Sequence, residues 1–254
     1  MPEGSGPELS FDTELDQASG LRRIFDQLPV RWSLVLQPST RSGVHASALA
    51  GRARQLAADG GDTLVIDAAR SQVALPLGLR LRYDLQHALA GDCEIGDACV
   101  AATEAIWVLP AARALDKACT DERHASRVAA AVHTVARDMR QAMLILPAAR
   151  VSWIHRLPEL VRLRQALIPV LRGADAGAAV LTAVSQAVSE AQIDTFHLLF
   201  LGMGEAAAGR LLSGMAAIAQ RHFGATLLAA KPLPDVGLAS KLGHSRHRPV
   251  ESVF

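Results

Sequence analysis

Four short stretches of this 254-residue chain carry residue types that could do chemistry. The first is QPSTRSGVHAS, residues 37–47, a polar segment between an apolar run and a helical pattern. A phosphate-binding loop would sit here. Such a loop needs glycines, so that backbone N–H groups can turn inward, and a lysine to reach the terminal phosphates. This one has a single glycine, Gly43, and no lysine. His45 stands near the lysine's place and Ser47 offers a hydroxyl. A helix N-terminus there still attracts an anion. The second is TLVIDA, whose acid is Asp67. A strand-end carboxylate serves a metal or a nucleophilic water, or it caps a loop amide, and the sequence leaves both readings open. The third is GMGEAA, residues 202–207, which fits a loose G-x-G-x-x-A dinucleotide fingerprint. It falls late in the chain, and the acid such a site needs about 20 residues on is missing from RHFGATLL. Close helix–strand packing is the simpler reading of its small residues.

The fourth stretch is LDQASGLRRIF, residues 15–25. Thr13 and Asp16 have capping-box spacing, and Leu15, Ala18, Leu21, Ile24 (or Phe25) and Leu28 recur at helical intervals up to Pro29. The result is a short amphipathic helix carrying Asp16, Gln17, Arg22 and Arg23 on its polar side. Elsewhere no G-x-S-x-G elbow occurs, and Cys93, Cys99 and Cys119 fit no zinc spacing and read as reduced thiols. His244 and His247 lie in a basic tail and read as solvated, while Trp32, Trp107 and Trp153 read as core or rim packing.

The elements that must position these residues follow from periodicity. Residues 1–12 are expected to be a disordered lead, 13–29 a helix, and 30–254 one α/β domain. Strands are predicted at 31–37, 63–68, 105–111, 142–148, 177–184, 195–202 and 225–233. Helices are predicted at 47–60, 83–91, 115–141, 157–173 with a break at Pro169, and 205–224. The strands are continuously apolar, the mark of a parallel sheet covered on both faces. Strand and helix alternate, so the fold class is α/β: a doubly wound, mostly parallel sheet flanked by helices. A net charge of +1 gives no electrostatic case for nucleic acid. The polar start MPEGSGPELS is no signal peptide. No apolar run reaches the roughly 20 residues that span a bilayer, so a cytoplasmic protein is expected.

The order of these features resembles the MinD/ParA-type deviant-Walker ATPases, and most of all their flagellar-number regulators, FlhG and FleN. TLVIDA is similar to the family's second strand, with Asp67 at its acid. LRLRYDLQHALAGDCEIGDACVAATEAIWVLPAAR (79–113) resembles its tyrosine-x-leucine-x-x-leucine-x-glycine and leucine-proline-alanine region. PLPDVGLASKLGHSRHRPVESVF resembles its closing segment, with the pair Pro234 and Asp235. LDQASGLRRIF matches the D-Q-A-x-x-L-R element that precedes the ATPase domain in FlhG proteins.

The resemblance implies a P-loop NTPase-like, MinD-type fold, with ATP and Mg²⁺ as the family's ligands. It implies a homodimer, and the flagellar signal-recognition-type GTPase FlhF as partner, whose GTP hydrolysis the N-terminal helix stimulates. Flagellar switch or transcription-regulator proteins are further implied partners, and they imply recruitment to the cell pole or flagellar base. On this reading Gln17 positions water or phosphate, Asp16 and Arg22 dock, and Ala18 and Leu21 make the apolar contact. The nucleotide site maps onto Thr40, Gly43, His45, Ser47, Asp67 and Asp235, and it departs from the family pattern throughout. Of the loop K-G-G-x-G-K-[ST], the signature lysine falls on Thr40 and the phosphate lysine on His45. Its glycines fall on Arg41, Ser42 and Val44. The second acid of the family's D-x-D is Ala69, the fourth-strand acid is an apolar residue near Ile145, and the base-contacting asparagine is Leu201 or Gly202. Charge neutralisation, backbone cradle and metal support are lost together. The function expected is therefore a pseudo-ATPase acting through its N-terminal helix, with an active ATPase using an atypical loop as the alternative. The family's C-terminal membrane-targeting helix has no counterpart up to Phe254, so membrane docking of that kind is not expected.

Overall fold

Parallel strands need both faces covered, and the apolar runs provide for this. In the computed structural model, which describes residues 29–38 and 45–230, these runs form one eight-stranded sheet. The strands are β1 (Arg31–Gln37), β2 (Thr63–Asp67), β3 (Val100–Thr103), β4 (Ile106–Pro110), β5 (Gln141–Pro147), β6 (Gln165–Leu171), β7 (Thr195–Leu201) and β8 (Thr226–Ala229). Their order is β3-β4-β2-β5-β1-β6-β7-β8. Every ladder is parallel except β3–β4. All of β2 is buried, and so is β5 from Gln141 to Leu146.

The helices are α1 (Ala46–Gly60), α2 (Leu85–Ala90), α3 (Ile95–Ala98), α4 (Ala112–Ala118), α5 (Glu122–Ala136), α6 (Ala176–Ala191) and α7 (Glu205–Phe223). One sheet face packs on α1, where Val35, Val65, Met143 and Ile145 meet Leu49, Ala53 and Leu56. The opposite face packs on α4 to α7, where Leu36, Leu144, Ile168 and Phe196 meet Leu115, Val132, Val184 and Met215. Covered faces on a mostly parallel sheet are the doubly wound α/β architecture that the alternation predicts. Phe196 is fully buried, so Phe196→Ala is expected to lower unfolding free energy by about 3–5 kcal/mol in a urea titration.

The structure corrects the sequence reading in four places. Residues 157–173 are not a helix. They form a short 3-10 turn (Pro158–Leu160) and then β6, with Pro169 buried inside the strand. Ala166, Ile168 and Val170 alternate onto one face, and that two-residue period outweighs the helical spacing of the preceding leucines. Proline has no N–H for a ladder. It is accommodated where β6 meets β1 through the single pair Val35–Leu167, while seven pairs tie β6 to β7. Residues 177–184 are helix α6, not a strand, because the alanine-rich run continues to Ala191, too long for a strand and rich in the best helix former. The predicted 115–141 helix is two helices, since Asp121 caps α5 by accepting from the N–H groups of Arg123 and His124. Finally, the edge strand β3 returns antiparallel on β4 through a turn, an element without sequence signal strong enough to predict it. The 1–12 lead and the 13–29 helix up to Leu28 lie outside the described residues, as does the chain from Lys231 onward.

Candidate functional site at the carboxyl edge of the sheet

In open α/β sheets ligands bind beyond the carboxyl ends of the strands. Three of the sequence-predicted residues lie there: His45 and Ser47 at the start of α1, and Asp67 at the end of β2. Thr40, Gly43 and Asp235 lie outside the described residues, and so do Asp16, Gln17, Ala18, Leu21 and Arg22.

His45 precedes α1 with helical backbone angles, and its carbonyl accepts the first helical bond, from Leu49 N–H. The residue is 2 % exposed. Burial pushes its pKa below the ordinary histidine value, so the imidazole is neutral at neutral pH. Among the described residues its Nδ1 has no hydrogen-bond partner. A buried neutral ring cannot do what a lysine ammonium does for a terminal phosphate. Ser47, one residue into α1, is exposed, and the first turn of α1 has neither an acid nor a side-chain cap.

Asp67 is 8 % exposed. Its Oδ1 accepts from Ser71 N–H at 2.9 Å and from Ala69 N–H at 3.2 Å. The loop it holds contains Arg70 and Gln72 at φ +55° and +59°, left-handed conformations that non-glycine residues enter at some cost. Burial raises the Asp67 pKa above the ordinary carboxylate range, against the lowering by those N–H donors. Its observed work is therefore to hold a strained loop. Because the folded state disfavours the charge, Asp67 adds stability below the ordinary aspartate pKa and loses it as pH rises through its folded value. Two variants separate charge from hydrogen bonding. Asp67→Ala leaves two N–H groups unsatisfied and is expected to cost about 1–3 kcal/mol. Asp67→Asn keeps an acceptor without the charge and is expected to match or exceed the parent at pH 7. Urea midpoints decide the matter, and equal losses in both variants would show that the charge itself is required.

The nucleotide and metal that the resemblance implies do not fit the described residues. β5 ends in Ile145, Leu146 and Pro147, followed by Ala148, with no carboxylate. No group of three histidine, cysteine or acidic side chains is placed to hold a metal among the described residues. Cys99 is partly buried, and burial pushes its pKa up to about 11.

The GMGEAA stretch is not a close-packing device. Gly202 has φ +67°, which favours glycine, but a Cβ on either Gly202 or Gly204 would meet nothing within 4 Å. A turn into α7, not a tight helix–strand contact, accounts for Gly202. The three tryptophans do pack as predicted, Trp153 buried and the other two partly buried against the larger core.

A side-chain network at the β2 and β4 ends escapes the sequence reading. Asp84 is buried, caps α2 through Gln86 and His87 N–H, and accepts from Arg113 Nε of α4 at 2.5 Å. Arg70 pairs with Asp116 of α4 at 2.8 Å. The Asp84–His87 spacing marks the cap in the sequence, but the arginine comes from 29 residues away and only the fold reveals it.

No protein-family model matches the chain, and no curated protein matches it. Its fold does match solved structures. Cobyrinic acid a,c-diamide synthase from Mycobacterium smegmatis superposes with a TM-score of 0.57 at 16 % identity, covering 84 % of this chain and 89 % of that one. MinD in the MinC:MinD cell division complex of Aquifex aeolicus gives 0.52 at 16 % identity, over 79 % and 82 %. A ParA family ATPase from Chlorobium tepidum TLS gives 0.53 at 13 % identity, over 81 % and 85 %. The fold is thus the P-loop NTPase fold in its MinD/ParA form.

Proposed function

We propose that this chain is a FlhG/FleN-like regulator built on a MinD/ParA-type scaffold that no longer uses nucleotide. It acts by binding an FlhF-like GTPase through its N-terminal helix and stimulating GTP hydrolysis there, and so regulates flagellar number and placement. The observation that carries the reading is His45, a buried neutral imidazole where the scaffold's phosphate lysine is expected. The intact LDQASGLRRIF element supports it from the other side: the chain keeps D-Q-A-x-x-L-R while the catalytic loop departs from pattern. MinD of A. aeolicus is seen in complex with MinC, which supports a scaffold that works through partner proteins. Flagellar switch or transcription-regulator proteins, self-association and recruitment to a pole or flagellar base extend the same reading.

The second reading is an active ATPase with an atypical loop, favoured by one observation. Ser47 is exposed on the first turn of α1, whose N-terminus carries no acid. The first reading is tested by adding the full chain to a GTP-loaded FlhF-type GTPase. Faster turnover is expected, and unchanged turnover at saturating chain would overturn it. Among the described residues no helix is long and apolar enough to cross a membrane.

A further inference from the structure

The two sheet faces are not equally covered. On the α1 side the packed cluster takes in β1, β2, β4 and β5 but no residue of β7 or β8. Beyond α1 lies a groove of about 830 Å³ over β6, β7 and β8. Leu167, His197, Leu199 and Leu228 form its floor, and Leu228 is 43 % exposed. Its rim carries Arg52, Arg162 and Arg164. Arg52 donates to Gln55 and Arg164 to Gln192, and none of the three pairs with a carboxylate among the described residues.

We propose that residues 13–28 of this chain dock in this groove as the missing helix of the layer, storing the N-terminal element on its own domain. Position, size and charge support it. The segment joins β1 through Pro29 and Val30 alone, and Trp32 and Ser33 just beyond line the groove. A connection of about two residues suits a helix that lies against the strand it feeds. Sixteen residues of helix span about 24 Å, and seven-residue strands such as β6 and β7 span about 23 Å. A helix about 10 Å wide covers two strands about 4.8 Å apart, so the slot beside α1 falls on β6 and β7.

Charge distinguishes the two segments that could reach the groove. Residues 13–28 hold three acids and two arginines, with three further acids in 1–12, whereas 231–254 hold four lysines or arginines and two acids. A rim of three arginines attracts the first and repels the second. The apolar spacing agrees. Leu15, Ala18, Leu21, Ile24 and Leu28 sustain a helical stripe, while the C-terminal segment is interrupted by Pro232, Pro234, Gly237 and Gly243. Docking buries Ala18 and Leu21, the same apolar positions that the proposed function gives to the partner. That regulatory consequence rests on the proposed function, while the docking itself does not. Self-docking and partner binding then exclude each other.

The test needs no partner. In the full chain, Ala18→Cys and Leu228→Cys are introduced with the native cysteines replaced by serine, and mild oxidation is followed by peptide mass spectrometry. A disulfide within one chain is expected, with its yield falling at least threefold in 1 M salt and with Arg162→Glu. A bond between chains would assign the groove to a second copy, and no bond would leave the segment undocked; either overturns the proposal. Hydrogen exchange guards against a folding artefact. Leu21→Asp is expected to deprotect peptides of β7 and β8 while leaving β2 and β5 protected. Unchanged exchange in β7 and β8 would also overturn it. Intramolecular docking together with no GTPase stimulation would remove the proposed function and leave the docking standing.

Discussion

Titration of the purified chain with a fluorescent ATP analogue and Mg²⁺ is expected to show binding at least about a hundredfold weaker than that of a nucleotide-binding protein of the same fold, a deficit of roughly 2.8 kcal/mol. Several independent losses add to produce it. At the lysine position stands His45, buried and neutral, so a full positive charge is missing beside the phosphates. Asp67, where metal support is expected, uses Oδ1 to hold the Ala69 and Ser71 amides and sits where burial disfavours its charge. The end of β5 offers only apolar side chains. Arg41, Ser42 and Val44 stand where the loop pattern has glycines, and side chains there hinder the inward turn of amide groups. Restoring one part alone is not expected to restore the whole. His45→Lys places an ammonium at a buried position without the glycines that would bring phosphate to it. Tight saturable binding by the parent chain would sink the pseudo-ATPase reading and leave the active-ATPase alternative standing.

How much of this is legible in the sequence depends on which interactions decide each element. The strands β1, β2, β4, β5 and β7 are legible because parallel strands covered on both faces must be continuously apolar, and few other elements look like that. The same signal misleads at 177–184, where alanine, leucine and valine suit a buried strand and a helix equally and only the run to Ala191 separates them. Pro169 misleads in the opposite direction: a proline argues for a break, yet a strand tolerates it where the neighbouring ladder is short. At the site, the chemical identities at His45 and Asp67 are plain in the sequence. Their burial is not, and burial turns one into a neutral ring and the other into a loop clamp. The Arg113–Asp84 contact and the uncovered groove are products of tertiary placement. No local pattern encodes which sheet face the described helices cover less.

Gln17→Ala is expected to reduce stimulation of the partner GTPase by at least about tenfold, with little change in the amount of chain needed for half-maximal effect. A glutamine presented on a helix orients the attacking water, and arginines supplied in trans offset the charge that develops on the transferring phosphoryl group; contributions of this kind reach about 10³–10⁵ in turnover. Loss of an orienting amide acts on the transition state and so lowers the plateau. Leu21→Asp is expected to do the reverse, because it removes apolar contact shared by ground and transition states and shifts the half-maximal concentration. Arg22→Ala lies between, lowering affinity if it only docks and the plateau as well if it reaches phosphate. A peptide of residues 1–30 sharpens the comparison. Freed from competition with the groove over β6 to β8, it is expected to stimulate at lower concentration than the full chain, and Arg162→Glu in the full chain is expected to narrow that gap. If Gln17→Ala leaves the plateau unchanged, the glutamine has no part in hydrolysis. If neither Gln17→Ala nor Leu21→Asp changes turnover, the helix is a packing element of its own domain and its polar face has no partner of this kind.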